Sequence, residues 1–367
     1  MTVDLTSHDD NSSLGMIMPH DPSATRRTFL KAAGAAALAA PMVRADDKSG
    51  SKPPILGEGE HKYEAVHGWG KLPGHIRWGE THGVAVGKDG SIYIKHRSTE
   101  KEPMDAIVVF DPEGKYVYSF GQKYHGGGHG IDIREEGGTE YLYLSDVQHN
   151  IVDKTTKTGA VVWTKGRPAE VPLYADPAAK YVPTNVAFAP DGGFYIADGY
   201  GSSTIQRYDK DGKLIGSFGG FGGEIGQFKT PHGLMLDDRP GREPVLVVAD
   251  RANARLQSFT LDGKPAKVDH GVSFPAHFDI RGDVLLVPDL HARVTLMDRD
   301  NKVITHLGYD PEWTKQALDG FKMRSDPSRW RPGRFIHPHD ACFDKDGNIY
   351  VVEWVATGRV SRLRKLA

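Results

Sequence analysis

The chain has 367 residues, a length that suits one large domain or two ordinary ones. Its 46 Lys and Arg nearly balance 48 Asp and Glu, so no basic surplus favours a nucleic acid or an anionic membrane as a partner. No apolar run is long enough for a membrane-spanning helix, which needs about 18 residues. The single cysteine, Cys342, excludes an intramolecular disulfide and a cysteine-based zinc cluster.

The N-terminal residues, 1–45, have the pattern of a twin-arginine signal peptide. Arg26 and Arg27 precede an alanine-rich apolar stretch, and Ala45 is a small residue suited to a cleavage point. An amphipathic surface helix is the alternative interpretation. Because this route exports folded proteins, we expect a periplasmic or secreted protein.

A repeat fills the rest of the chain. A short apolar strand, a turn and a second strand that ends in an acidic residue recur roughly every 45 to 62 residues. The first strands begin at His82, His129, Thr184, His232, His277 and His339. Hardly any helical pattern accompanies them, which indicates propeller blades rather than a sandwich. We therefore predict an all-β, six-bladed β-propeller over residues 79–367, preceded by a segment, 46–78, with a strand placed to close the ring.

The recurring histidines predict a metal site in the central channel. Five of the six blades begin with His, and equivalent positions of a propeller form a ring around its axis. Packing alone explains such a ring poorly, since adjacent imidazoles disfavour each other's charged form. His129, His232 and His339 lie on alternate blades and would approach the axis about 120° apart, leaving the axial position open as in a catalytic zinc site. A purely structural ring of histidines is the alternative.

Three other features have two interpretations each. The acidic residues that end the second strands resemble paired carboxylates, but we expect them to bind loop amides. Arg97 stands where the third blade has Gly199, and this exception to the repeat marks either a site or a surface ion pair. The longest insertion, at about 309–336, contains Trp313 and Phe321 and runs into the last blade, so we expect a wall or lid over the metal.

From about Lys62 onward, the chain resembles the peptidyl-α-hydroxyglycine α-amidating lyases, six-bladed propellers of the NHL-repeat group. The order and spacing of the matching stretches are more specific than any one of them. These stretches are Lys95-His96-Arg97, His129-Gly130-Ile131, Pro183-Thr184-Asn185-Val186, Asp198-Gly199-Tyr200, Gly226-Gln227-Phe228 with Pro231-His232-Gly233-Leu234, Ala249-Asp250-Arg251 with Arg255-Leu256-Gln257, and Pro338-His339-Asp340.

The resemblance implies two metals. The three alternate-blade histidines would bind zinc or another divalent transition metal. A structural calcium would be held in the channel by Asp340 and by the backbone carbonyls of Val84 and Ile131. Oxygen ligands of this kind suit a hard cation.

The resemblance also implies a reaction, the cleavage of a carbinolamide to an amide and glyoxylate. Tyr200 would take the proton of the substrate hydroxyl, and Arg97 would orient a carboxylate or stabilise developing charge. His337 stands where the family has methionine. Its imidazole would serve as a fourth metal ligand, a proton carrier or a contact for a polar substrate.

Three functions are compatible with these sequence features. The first is an exported, metal-dependent carbon–nitrogen lyase acting on a small-molecule or peptide-derived substrate. The second is a non-catalytic NHL propeller that serves as a binding or scaffold protein, since a fold does not determine function. The third is a calcium-dependent lactone hydrolase, which the histidine-rich channel disfavours. The sequence leaves the substrate and the oligomeric state open.

Overall fold

The computed structural model describes residues 52–366. The signal peptide predicted over residues 1–45 lies outside this range and stays a prediction. The described chain forms six antiparallel sheets, five of four strands and one of five. The predicted all-β, six-bladed propeller is therefore confirmed.

Blades 1 to 3 each place four consecutive strands in sequence order from the first strand outward. The strands of these three blades are β3 Glu80–Val86, β4 Ile92–Arg97, β5 Ile107–Phe110 and β6 Tyr116–Phe120; β7 Gly128–Glu136, β8 Thr139–Asp146, β9 Ile151–Thr156 and β10 Val161–Lys165; β11 Val186–Phe188, β12 Phe194–Asp198, β13 Thr204–Tyr208 and β14 Leu214–Gly219.

Blades 4 and 5 follow the same order, and blade 6 combines both ends of the described chain. Their strands are β15 Pro231–Asp237, β16 Val245–Asp250, β17 Arg255–Phe259 and β18 Pro265–Asp269; β19 Asp279–Arg281, β20 Val284–Asp289, β21 Arg293–Met297 and β22 Val303–Leu307; β23 Pro338–Phe343, β24 Ile349–Glu353 and β25 Arg359–Lys365 with β2 Tyr63–His67 and β1 Ile55–Leu56. The pairing of β2 with β25 joins the N-terminal segment to the last blade and closes the ring.

The apolar core lies between the blades rather than within one layer. Each of the six blade–blade interfaces of the described chain holds one buried apolar cluster. Ile94 and Val108 of blade 1, for example, pack with Tyr350 and Val352 of blade 6. The second strand β12 is buried along its whole length, whereas the outer strand β14 alternates between partly buried and exposed residues. This gradient explains why the second strands are apolar runs and the outer strands are mixed.

The acidic residues at the ends of the second strands bind loop amides, as expected from the sequence. Asp289 accepts hydrogen bonds from the backbone N–H groups of Ser273 and Phe274, at 2.7 and 2.9 Å. Asp198 accepts one from Val182 at 2.6 Å. These bonds hold the loop that enters a blade against the end of its second strand.

The insertion before the last blade contains a short helix, α1 Pro311–Leu318. Asp310 caps it by accepting a hydrogen bond from the Trp313 N–H at 2.9 Å, and a proline stands at its first position. Trp313 and Met323 are buried in a separate apolar cluster with Val355. The insertion is therefore packed onto the propeller. No helix among residues 52–366 has the length and apolar character to cross a bilayer.

Candidate active site at the channel mouth

The topology brings particular residues to one end of the channel. In an antiparallel blade the second strand returns to the end where the first begins. Residues at the start of the first strands and just after the second strands therefore meet. We call this end the channel mouth; it contains His129, Tyr200, His232, His337 and His339.

Three histidines converge at the mouth. The side-chain ligand atoms of His129, His232 and His339 all lie within 4.8 Å of one another, and each residue is buried. Each Nδ1 is held by a backbone carbonyl of the next blade around the ring. These carbonyls belong to Thr184, Ala276 and His82, at 2.9, 2.8 and 2.7 Å. Since a carbonyl only accepts, each Nδ1 carries the proton and each Nε2 is left as a ligand atom.

Burial keeps these imidazoles neutral. It lowers the pKa of His339 to about 3, and the pKa values of His129 and His232 also fall well below the ordinary value for the same reason. Three neutral, oriented Nε2 atoms are a donor set that suits zinc or a neighbouring divalent transition metal. The residues fit the metal site predicted from the repeat, and the identity of the metal stays a prediction.

Tyr200 lies beside this histidine group. Its Oη is 2.8 Å from His232 Nε2 and 3.2 Å from His129 Nε2. Tyr200 lies two residues after the end of β12, and 36% of it is exposed. The hydroxyl thus lies between the buried histidines and the open mouth.

The arginine next to Tyr200 is Arg251, not Arg97. Arg251 Nη1 donates to Tyr200 Oη at 3.2 Å, and its guanidinium lies 4.9 Å from the Phe274 ring centre. Arg97 donates to Glu80 instead, at 2.9 Å from its Nε. The role predicted for Arg97 stays untested, but the structure places it in an ion pair. Arg251 stands in the repeat where blade 3 has Gly199, so the argument applied to Arg97 would have found it too.

His337 lies at the mouth but not within the histidine group. Its Nδ1 donates to the carbonyl of Leu290 at 2.7 Å. Its ring centre is 5.2 Å from that of Phe321 and 5.7 Å from that of Trp354. Burial lowers its pKa to about 4. Of the roles predicted for His337, this position does not favour that of a fourth metal ligand.

His82 and His277, the two remaining histidines of the predicted ring, occupy two environments. The His82 ring lies against the histidine group, 4.5 Å from the ring centre of His339. His277 lies between two carboxylates, with Nδ1 2.8 Å from Asp340 Oδ1 and Nε2 3.4 Å from Asp132 Oδ1. Burial opposes protonation of His277, but the charges of Asp340 and Asp132 outweigh it and raise its pKa to about 9.

The carboxylate expected to bind calcium already has N–H partners. Asp340 Oδ2 accepts from the backbone N–H of Val84 at 2.9 Å, and Oδ1 accepts from Ala341 at 2.8 Å as well as from His277. A calcium ion at Asp340 and the carbonyls of Val84 and Ile131 would have to break or share these bonds. The arrangement therefore does not favour calcium, and the calcium site stays a prediction.

The similarity of the chain to known proteins points to the same group of enzymes. No protein-family model matches the chain. The peptidyl-α-hydroxyglycine α-amidating lyase 1 of Drosophila melanogaster is 28% identical over 300 residues, which cover 75% of this chain and 51% of the relative. A Caenorhabditis elegans relative named as a probable lyase of this kind is 31% identical over 205 residues, or 50% of this chain and 56% of the relative.

The chain resembles these lyases. The resemblance inferred from its motifs is thus confirmed, although the chain spans only about half the length of these curated relatives. Among solved structures, a streptogramin B lyase superposes with a TM-score of 0.56 at 13% identity, covering 84% of this chain and 99% of that one. At that identity the likeness supports the propeller fold alone.

Proposed function

We propose that this protein is a metal-dependent carbon–nitrogen lyase that cleaves an α-hydroxyglycine-type carbinolamide to an amide and glyoxylate. The observation that carries the proposal is the position of Tyr200, whose hydroxyl lies 2.8 and 3.2 Å from two Nε2 atoms of the histidine group. A scaffold propeller has no need of a phenol beside a buried, oriented set of metal-binding imidazoles. The names of the relatives support the same reaction.

Tyr200 and Arg251 have different roles in the proposed reaction. Tyr200 acts as the base that takes the proton of the substrate hydroxyl, and the adjacent Arg251 guanidinium stabilises negative charge at the phenolic oxygen. As the O–H bond breaks, a C=O bond forms and the C–N bond breaks. The electron pair of that bond goes to the amide nitrogen, which then takes a proton. The products are an amide and glyoxylate.

The metal would supply a Lewis acid for the hydroxyl oxygen. His129, His232 and His339 would hold it, and their backbone partners would keep the imidazoles in place. Arg251 has a further N–H, on Nε, that is buried and without a partner among residues 52–366. We assign this group to the substrate carboxylate, because a guanidinium recognises carboxylates through paired N–H donors.

The metal content of the purified protein tests the proposal. We expect about one transition metal per chain in the wild type. A His129→Ala/His339→Ala double variant should lose it, whereas His306→Ala, in the outer strand β22, should keep it. Metal analysis would be paired with an assay of glyoxylate release from α-hydroxyglycyl compounds. A folded wild type without transition metal would refute the lyase and favour the scaffold alternative.

A further inference from the structure

His337 has a nitrogen with no hydrogen-bond partner. The residue is 0% exposed, and its Nε2 meets no donor or acceptor among residues 52–366. Its other nitrogen donates to Leu290 O at 2.7 Å, so Nε2 carries a lone pair and is an acceptor. An unpaired buried polar atom costs roughly 1–3 kcal/mol, which is why such atoms are rare unless a ligand completes them.

The fold places this nitrogen at the channel mouth. His337 precedes β23 directly, and its carbonyl accepts a hydrogen bond from the backbone N–H of Trp354, just after β24, at 2.9 Å. His339 of the metal-binding group follows two residues later. Trp354 and Tyr200 both follow second strands, so they lie at the same end of the propeller.

Two aromatic rings pack against the imidazole of His337. The ring centres of Phe321 and Trp354 are 5.2 and 5.7 Å from that of His337, and 5.9 Å from each other. Arg324 covers Trp354, with its guanidinium carbon 3.3 Å from the ring centre. The insertion therefore contributes Phe321 and Arg324 to the surroundings of His337 and Trp354. That it forms a wall or lid over the metal stays a prediction.

Phe321 is held in an unusual backbone conformation. Its φ of 53° and ψ of 18° lie in the left-handed region, which a bulky side chain rarely adopts. Such strain persists only where the surrounding structure enforces it, and it is concentrated at binding sites. The strain here sets the ring of Phe321 against His337, with 38% of Phe321 still exposed at the mouth.

We propose that Phe321, His337 and Trp354 form a subsite for the acyl side of the substrate, in which His337 Nε2 accepts a hydrogen bond from an N–H or O–H of that group. This inference rests on the proposed function, since it presumes a carbinolamide bound beside Tyr200. It adds one requirement to that substrate: an N–H or O–H donor on the acyl group, near the scissile amide, for His337 Nε2 to accept.

Two matched pairs of ligands test the subsite without requiring turnover. The first pair is N-acetylalanylglycine and its 2-acetoxypropanoyl counterpart, in which an ester oxygen replaces one N–H. The second pair is 2-hydroxypropanoylglycine and 2-methoxypropanoylglycine. Binding to the metal-loaded protein would be measured by titration calorimetry for the wild type, His337→Met, His337→Gln and the control His306→Met. Metal analysis and a melting curve would confirm that each variant is folded and loaded.

The wild type and the control should bind the donor-bearing member of at least one pair about ten-fold more tightly, the worth of one net hydrogen bond. His337→Met should bind both members alike, and His337→Gln, which keeps an acceptor, should retain part of the preference. Equal binding of both members of both pairs by the wild type would overturn the subsite. If the α-hydroxylated forms of these acylglycines still released glyoxylate in that case, the proposed lyase activity would stand without the subsite. Absence of both binding and glyoxylate release would instead refute the proposed function, and the subsite with it.

Discussion

At the scale of single residues, the mouth is organised by which atom of each side chain is already bonded. The Nδ1 atoms of His129, His232 and His339 are tied to backbone carbonyls, and this leaves their Nε2 atoms to face one another. The hydroxyl of Tyr200 touches two of these nitrogens and also receives an N–H from Arg251. The proton-accepting role proposed for Tyr200 depends on this combination of a cation and the histidine group.

Replacement of Tyr200 by phenylalanine should remove the base and leave the metal. We expect kcat to fall by roughly 10²- to 10⁴-fold, the usual contribution of a positioned proton acceptor, with unchanged metal content. Arg251→Gln should also lower kcat, and by more than the matched Arg97→Gln, because Arg97 bonds Glu80 rather than Tyr200. Steady-state glyoxylate release measures both effects. A larger loss in Arg97→Gln would return to Arg97 the role that the sequence assigned to it.

At the scale of elements, ring closure depends on a strand from the opposite end of the described chain. The strand β2 pairs along its whole length with β25, and its last residue, His67, contacts two segments at once. His67 Nε2 accepts from the backbone N–H of Gly333 in the insertion at 3.0 Å, and its Nδ1 lies 2.7 Å from the hydroxyl of Ser361 in β25. An imidazole that accepts an N–H must be neutral.

The closure should therefore weaken in acid. Burial, with a smaller contribution from Arg359, lowers the pKa of His67 to about 3 in the folded protein, below the ordinary value of 6.5. Between these values the unfolded chain binds the proton and the folded chain does not. The stabilisation is thus complete above pH 6.5 and is lost as the pH falls toward 3.

Denaturant unfolding at several pH values would measure this effect. Below pH 6.5 the wild type should lose stability faster than His67→Gln, by at most about 1.4 kcal/mol per pH unit. His61→Gln, a histidine replacement outside β2, provides the control variant. Parallel pH profiles of the wild type and His67→Gln would show that His67 does not titrate on unfolding.

At the scale of the whole molecule, charged groups near the axis connect blades that are distant in sequence. His277, which enters blade 5, bonds Asp340 of blade 6 and lies 3.4 Å from Asp132 of blade 2. The same two carboxylates accept the backbone N–H groups of Val84 in blade 1 and Val186 in blade 3. This network ties five of the six blades together across the channel.

Removal of the cation of this network should destabilise the whole propeller. In His277→Asn the buried carboxylates of Asp132 and Asp340 lose their charged partner, which costs roughly 3–5 kcal/mol. Added calcium should recover part of this loss, because carboxylates bind it well, whereas the melting temperature of the wild type should not respond to calcium or to a calcium chelator. Thermal melts with and without each reagent provide the measurement. A wild type that is destabilised by the chelator would show that the calcium predicted from the resemblance is bound.

The sequence by itself determined the fold of this protein and the three histidines that converge at the channel mouth. Local apolar and acidic patterns of the repeat predict each blade. Equivalent positions of the repeat must form a ring around the axis, so the proximity of His129, His232 and His339 could be predicted as well. Tertiary structure decided the partners of the charged residues. Whether Arg97 or Arg251 reaches Tyr200, and whether Asp340 faces a metal or His277, depends on side-chain directions across blades that are 50 or more residues apart. A repeat period specifies which end of the channel a residue occupies, but not which of several opposite charges it meets there.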